Sequence, residues 1–241
     1  MNPMKTSDAG IYALALHEGI VPGPYLDSEG VWTFGLGHAE TSGLVPNPRA
    51  MPKGMPDDLD AALVEVFRVF RADLPKYEAA VNRALKVPVS QTQFDALVSF
   101  HFNTGAVAKA SFVKRLNAGD MAGAVKGFMA WSRPARIIDR RKAEQTLFAK
   151  GTYPTGQVTV WGVTDAGKVI WKPVKRLAKD QVLALMDGAR PTTAPQKPAK
   201  PTQTSLQKAQ RTTGPALALG AVIAGAVAYW NDGWAWLASW F

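Results

Sequence analysis

Between Ser7 and Gly19 the apolar residues Ile11, Leu14 and Ala15 recur at helical spacing, with Glu18 in the last turn. Ser7 suits the start of a helix and Gly19 its end, so the pattern predicts a short first helix. Between residues 25 and 38 the period changes. Tyr25-Leu26-Asp27 and the run Val31 to Gly37 flank Ser28-Glu29-Gly30, the signature of a hairpin. Alternation then puts Val31, Thr33 and Gly35 on one face and Trp32, Phe34 and Leu36 on the other. Residues 41–56, rich in Gly, Pro and Met, read as loop. Helical spacing returns from Pro56 to about Leu85 through Leu63, Val64, Val66, Phe67, Phe70 and Leu74, and again from Ser90 to Phe102. Further helical stretches, interrupted at Asn117 to Asp120 and around Arg133-Pro134, run through Arg140, Arg141, Glu144 and Leu147. Residues 157–174 predict a second hairpin around Asp165-Ala166-Gly167, and 178–187 a closing helix. The class is therefore α+β and mainly helical.

The globular pattern stops at residue 187. Residues 188–213 carry Pro191, Pro195, Pro198 and Pro201 among Thr, Gln, Lys and Ala, a composition that cannot bury a core and reads as an extended basic linker. From Gly214 to Trp230 there is no charge, and Leu217, Leu219, Val222, Ile223 and Val227 make the segment strongly apolar. As a helix it would be roughly 25 Å long, at the lower limit for a hydrocarbon core about 30 Å thick. Trp230, Trp234, Trp236 and Trp240 follow, and indole rings favour the membrane interface. The expected organisation is a folded domain over 1–187, a linker over 188–213 and a segment over 214–241 associated with the inner membrane. Lys197, Lys200, Lys208 and Arg211, just before the apolar run, favour its cytoplasmic side.

Composition narrows the chemistry. The chain has 241 residues, with 28 Lys and Arg against 19 Asp and Glu, and no cysteine. A disulfide framework, a thiolate zinc site and a cysteine nucleophile are thereby excluded. Asp8, His17 and Glu18 interrupt the first apolar run, which does not fit a cleavable secretory signal, so the chain is expected to begin in the cytosol. The basic balance suits nucleic acid, anionic lipid or an anionic wall polymer. Nucleic acid is the poorest fit, because the basic residues of 188–213 lack interleaved aromatics for base stacking. The three histidines have no zinc-site spacing, and neither metal nor cofactor is expected.

The candidate constellation is Glu18, Asp27 and Thr33, on a helix end and the two arms of the first hairpin. The negative end of the helix macrodipole disfavours an ionised glutamate, which suits a general acid. Asp27, beside a turn with free backbone amides, stays ionised more readily, and the Thr33 hydroxyl can hold a water molecule. Two carboxyls in unlike surroundings are what glycosidic bond cleavage requires, one to protonate the leaving oxygen and one to activate water or stabilise the cationic centre.

The segments Glu18-Gly19, Pro24-Tyr25-Leu26-Asp27 and Trp32-Thr33-Phe34-Gly35-Leu36-Gly37-His38 resemble the active-site region of phage-type lysozymes, the endolysin family of glycoside hydrolases. Similarity continues through Gln93 to Gly105, Ser111 to Asn117 and Arg140 to Phe148, covering about residues 7–151. The resemblance implies a two-lobed fold in which a small hairpin lobe joins a helical lobe through a long helix, with the substrate cleft between them. It implies Glu18 as general acid, Asp27 as second carboxylate, Thr33 as the hydroxyl positioning water, and His38 as a structural histidine. It further implies hydrolysis of the β-1,4 bond between N-acetylmuramic acid and N-acetylglucosamine in bacterial peptidoglycan, with inversion, without cofactor. The enzyme would wait in the host cytoplasm or on the inner membrane and act in the periplasm. A lytic transglycosylase and a wall-binding module without activity are the competing readings. Pro134-Ala135-Arg136-Ile137 departs from the Gly-Leu pair common in the family, and 157–174 lies outside the resemblance. Trp161 and Trp171 there suit either sugar stacking or packing.

Overall fold

The computed structural model describes residues 2–189. All but the first two residues of the expected linker, and the whole apolar segment 214–241, lie outside the described residues. Among those described, no helix is long and apolar enough to cross a membrane.

The first helix, α1 (Asp8–Glu18), begins and ends where the pattern placed it. The Ser7 hydroxyl accepts from the Gly10 amide at 3.0 Å, and Gly19 closes the last turn. An antiparallel sheet of order β1-β2-β3 follows, made of β1 (Val21–Leu26), β2 (Trp32–Gly35) and β3 (His38–Ala39). Tyr25 pairs with Thr33 and Leu26 with Trp32. Thr33 and Phe34, on opposite faces of β2, are both buried. Residues 41–56 are loop with short 3-10 turns at Glu40–Ser42 and Pro48–Ala50.

The long helix α2 (Leu59–Ala84), capped by Asp58, runs 26 residues, or about 39 Å at 1.5 Å per residue. Leu63, Val66, Phe67, Phe70 and Leu74 form its buried stripe and touch both the small sheet and α3 (Gln91–Thr104). Ser90 and Gln93 form a capping box at the start of α3, each side chain binding the other residue's backbone amide. The helices α4 (Ser111–Asn117), α5 (Met121–Gly127) and α6 (Ile138–Lys150) complete this part around an aromatic centre. Phe100 meets Phe112 edge-on at 4.9 Å, and Phe112 lies 4.4 Å from Phe128. The departing segment Pro134 to Ile137 makes a 3-10 turn at Ala135–Ile137 that feeds directly into α6.

The second hairpin forms as predicted around Asp165 to Gly167, but its outgoing strand runs further, to Leu177. Its strands are β4 (Val158–Val163) and β5 (Val169–Leu177), and α7 (Lys179–Met186) then packs on α1 and α2. This hairpin joins the small sheet. The Ile20 amide donates to the Thr159 carbonyl, the Trp161 amide to the Ile20 carbonyl and the Leu26 amide to the Gly167 carbonyl, each at 2.8 Å. Val21, Tyr25, Trp161 and Val163 bury one another in an apolar cluster separate from the main core. The mainly helical α+β class and the small hairpin sheet are as the pattern and the resemblance implied.

Candidate active site

Because Gly19 ends α1 at once, the last helical side chain is Glu18, with only Gly19 and Ile20 between it and β1. From α6, Arg140 meets it across 122 residues of sequence, Nη1 donating to Glu18 Oε1 at 2.5 Å. The same guanidinium donates through Nε to Glu144 Oε1 at 3.0 Å and through Nη2 to the Ser99 carbonyl at 3.1 Å. The Ser99 hydroxyl donates to Glu144 Oε1 at 2.7 Å; Arg141 donates to Glu144 Oε2 and, at 2.5 Å, to Asn103 Oδ1. Two guanidiniums thus face two carboxylates, and none of the four side chains is more than 16% exposed. Burial works against the charge of Arg140, but Glu18 and Glu144 outweigh it and hold its pKa above the ordinary value. Burial lowers that of Arg141. His17, beside both arginines, is pushed down to about 3, first by burial and then by the two positive charges, so it stays neutral and does not upset the balance.

Arg140 and Arg141 pair with Glu144 along one helix face, and Arg140 reaches beyond that face to Glu18. Sequence reasoning weighed only the helix terminus at Glu18, whereas the guanidinium supplies the opposite field. A signal was present in the sequence: two arginines on a helix whose neighbours Leu147 and Phe148 are core residues need partners beyond their own helix.

On the other side of the site, Asp27 leaves β1 and bends back on the turn. Its Oδ1 accepts from the amides of Glu29 and Val31, both at 2.9 Å. The Val31 carbonyl accepts from the Asp27 amide and from Thr33 Oγ1, both at 3.1 Å. Both backbone polar groups of Val31 therefore tie Asp27 to Thr33. The Thr33 hydroxyl proton is spent on that carbonyl, which leaves its oxygen as an acceptor. Tyr25, opposite Thr33 in the sheet, connects the two halves. Its buried phenol is pushed up chiefly by burial, then by the charge of Glu18 and that of Asp27. Both carboxylates therefore act on one hydroxyl, one from a helix end and one from a hairpin turn, and the second is tied to Thr33 through Val31.

His38 is fully engaged elsewhere, its Nδ1 2.8 Å from Asp73 Oδ2 and its Nε2 2.8 Å from the Pro46 carbonyl, in keeping with a hydrogen-bonded structural role. At the rim, Lys53 Nζ sits 3.9 Å from the centre of the Trp32 ring. A hollow bounded by Met4, Asn82, Leu85 and Val89 shares no residue with this region.

A carboxylate against a guanidinium at a helix end, and a second held by backbone amides beside a hydroxyl, is an arrangement able to cleave a glycosidic bond. The model of the phage lysozyme family matches residues 15–144, more than half of the chain, and the chain belongs to that family of glycoside hydrolases. An endolysin of Acyrthosiphon pisum secondary endosymbiont phage 1 is 31% identical over 156 residues, which are 60% of this chain and 98% of that protein. Among solved structures, an endolysin from Escherichia coli O157:H7 phage FAHEc1 superposes with a TM-score of 0.53 at 31% identity, covering 63% of this chain and 98% of that one. A P22 lysozyme mutant gives 0.51 at 30% identity, covering 60% and 98%.

Proposed function

We propose that the chain is an endolysin that hydrolyses the β-1,4 bond between N-acetylmuramic acid and N-acetylglucosamine in bacterial peptidoglycan. The observation that carries this reading is the Glu18, Asp27 and Thr33 arrangement, with both carboxylates acting on Tyr25 and Val31 binding Asp27 to Thr33. In the acting enzyme Glu18 carries a proton on Oε2, the oxygen Arg140 leaves free, and gives it to the leaving sugar oxygen as the glycosidic C–O bond breaks. The carboxylate it becomes is received by Arg140, which already contacts Oε1, so the anionic product of proton transfer is stabilised where it forms. Asp27 uses Oδ1 on the turn, and its Oδ2 and the acceptor oxygen of Thr33 each accept a hydrogen bond from a water whose lone pair they direct at the anomeric carbon; as the new C–O bond forms, one water proton passes to Asp27 and the other stays on the new anomeric hydroxyl. Attack by water on the face opposite the leaving oxygen inverts the anomeric centre.

Glu18→Gln is expected to abolish release of muropeptides from purified sacculi while the circular dichroism spectrum stays that of the parent. Near-normal release would remove Glu18 from the mechanism, and anhydro ends on the products would turn the reading to a transglycosylase. The domain plan of a folded part to residue 187, a linker over 188–213 and a membrane-associated tail over 214–241 belongs to the same proposal, supported by the uncharged run from Gly214 to Trp230. The tail holds the enzyme at the inner membrane until that barrier opens and the wall is reached. The full chain should sediment with membranes and a chain ending at Asp187 should not; equal solubility refutes the tether.

A further inference from the structure

The hairpin β4–β5 lies outside the residues matched by the family model, yet it is built onto the active-site sheet. Its two strands do not pair evenly. Trp161 opposes Pro173 while Gly162, the next residue, opposes Ile170, so the register shifts across Trp171 and Lys172, and it shifts again across Val174 between Pro173 and Lys175. These extra residues are turned outward together with Ile170 and Arg176, Trp171 being 40% and Val174 47% exposed. A bulge re-aims side chains, and here it presents an aromatic, a cation and an aliphatic residue together. Trp171 is held in place, its ring edge-on to Trp161 at 5.5 Å and 71°.

The charge of this face is one-sided. Lys168, Lys172 and Arg176 enter no ion pair among the described residues, and Lys175 is the one answered, by Asp60 at 2.5 Å. The tip of this hairpin also touches the strands that bear the proposed site. At the hairpin tip the Gly167 carbonyl accepts from Leu26, the residue before Asp27, and Gly167 packs so closely on Trp32 that a Cβ would stand 2.6 Å from the ring.

We infer that the outward face of β5 is a peptidoglycan-binding subsite, in which Trp171 stacks on a sugar ring of the glycan strand while Lys168, Lys172 and Arg176 meet the carboxylates of its stem peptides. This deepens the proposed function and rests on it. The pairing is one of kind: a pyranose ring offers an apolar face of C–H groups to an indole, and acidic peptides answer uncompensated cations. Continuity with the hairpin bearing Asp27 and Thr33 favours the polymer that the site cleaves over a lipid surface.

The test measures retention of full-length protein on purified sacculi, with Glu18→Gln as the parent so that the polymer stays intact. Trp171→Ala in that background should weaken retention roughly tenfold, and Trp171→Phe should restore most of it. Lys168→Glu with Lys172→Glu should weaken retention at low salt and flatten its salt dependence. Equal retention of the parent and Trp171→Ala overturns the subsite, as does an effect of Trp171→Ala confined to phosphatidylglycerol vesicles. Melting temperatures within a few degrees of the parent show that the variants fold, and recovery with Trp171→Phe separates stacking from a packing defect. Muropeptide release by protein with Glu18 intact is read in parallel: its absence refutes the muramidase reading, whereas release together with Trp171-independent retention refutes the subsite alone.

Discussion

Replacing Arg140 by Met tests the buried charge network most directly. The guanidinium donates to Glu18, Glu144 and Ser99, and its removal leaves two carboxylates facing one remaining cation, Arg141. Glu144 is 1% exposed and Glu18 16%, so water can compensate little at the first and only partly at the second. Loss of one member of a buried ion pair costs about 3–5 kcal/mol. For a folded part of this size each kcal/mol lowers the melting temperature by roughly 2–4 °C, so Arg140→Met should melt about 6–20 °C below the parent. Glu18→Gln keeps an oxygen for Arg140 and leaves Glu144 paired, so it should cost only about 1 kcal/mol. Breaking the exposed pair of Arg68 and Glu65, whose side chains are 57% and 38% exposed, should cost about 0.5 kcal/mol. Thermal and urea unfolding followed by circular dichroism give all three values. A melting temperature for Arg140→Met within about 3 °C of the parent, or a cost no larger than that of the Arg68 pair, would refute the account of a network that depends on its central cation.

Two further predictions rest on single residues. His17 takes up a proton near pH 6.5 when unfolded but only at about 3 when folded, so the unfolded chain binds the extra proton between those values. Stability should therefore fall as pH is lowered from about 6.5 towards 3, by about 1.4 kcal/mol per pH unit from this group, and His17→Gln should show a shallower slope between pH 6 and 4; parallel curves would contradict the assignment. Gly167 and Gly30 share φ of +75°, but a Cβ at Gly167 meets the Trp32 ring while nothing lies within 4 Å at Gly30. Gly167→Ala should thus cost about 1–3 kcal/mol more than Gly30→Ala in urea unfolding, and equal costs would mean that the hairpin tip does not press on Trp32.

What the sequence revealed follows from the range of the interactions involved. The ends of α1 were legible because Ser7 and Gly19 act on their own helix, and α2 because its stripe from Leu63 to Leu74 repeats within one element. Asp27 and Thr33 could be linked from sequence because a short turn separates them. The reach of Arg140 to Glu18 could not be read, since it depends on where α6 settles against α3, which brings Arg140 to the end of α1. The exposure of Trp171 was equally hidden: alternation assigns a strand residue to a face, but the skipped positions opposite Trp161 and Gly162 are a property of the pairing, and no pattern in β5 alone announces them. The amides of the turn at Asp27 are as expected, whereas at Glu18 the guanidinium of Arg140 adds a field opposite to that of the helix end, which the sequence did not disclose.

The stitching of the second hairpin onto the first sets an order of events during synthesis. Ile20 and Leu26, which bracket the stretch from just after Glu18 to just before Asp27, are bonded to Thr159, Trp161 and Gly167, about 140 residues downstream. A nascent chain that has released every residue of the family match from the ribosome still lacks these partners. The stretch between Glu18 and Asp27 therefore gains its last backbone supports only near the end of translation of the described region.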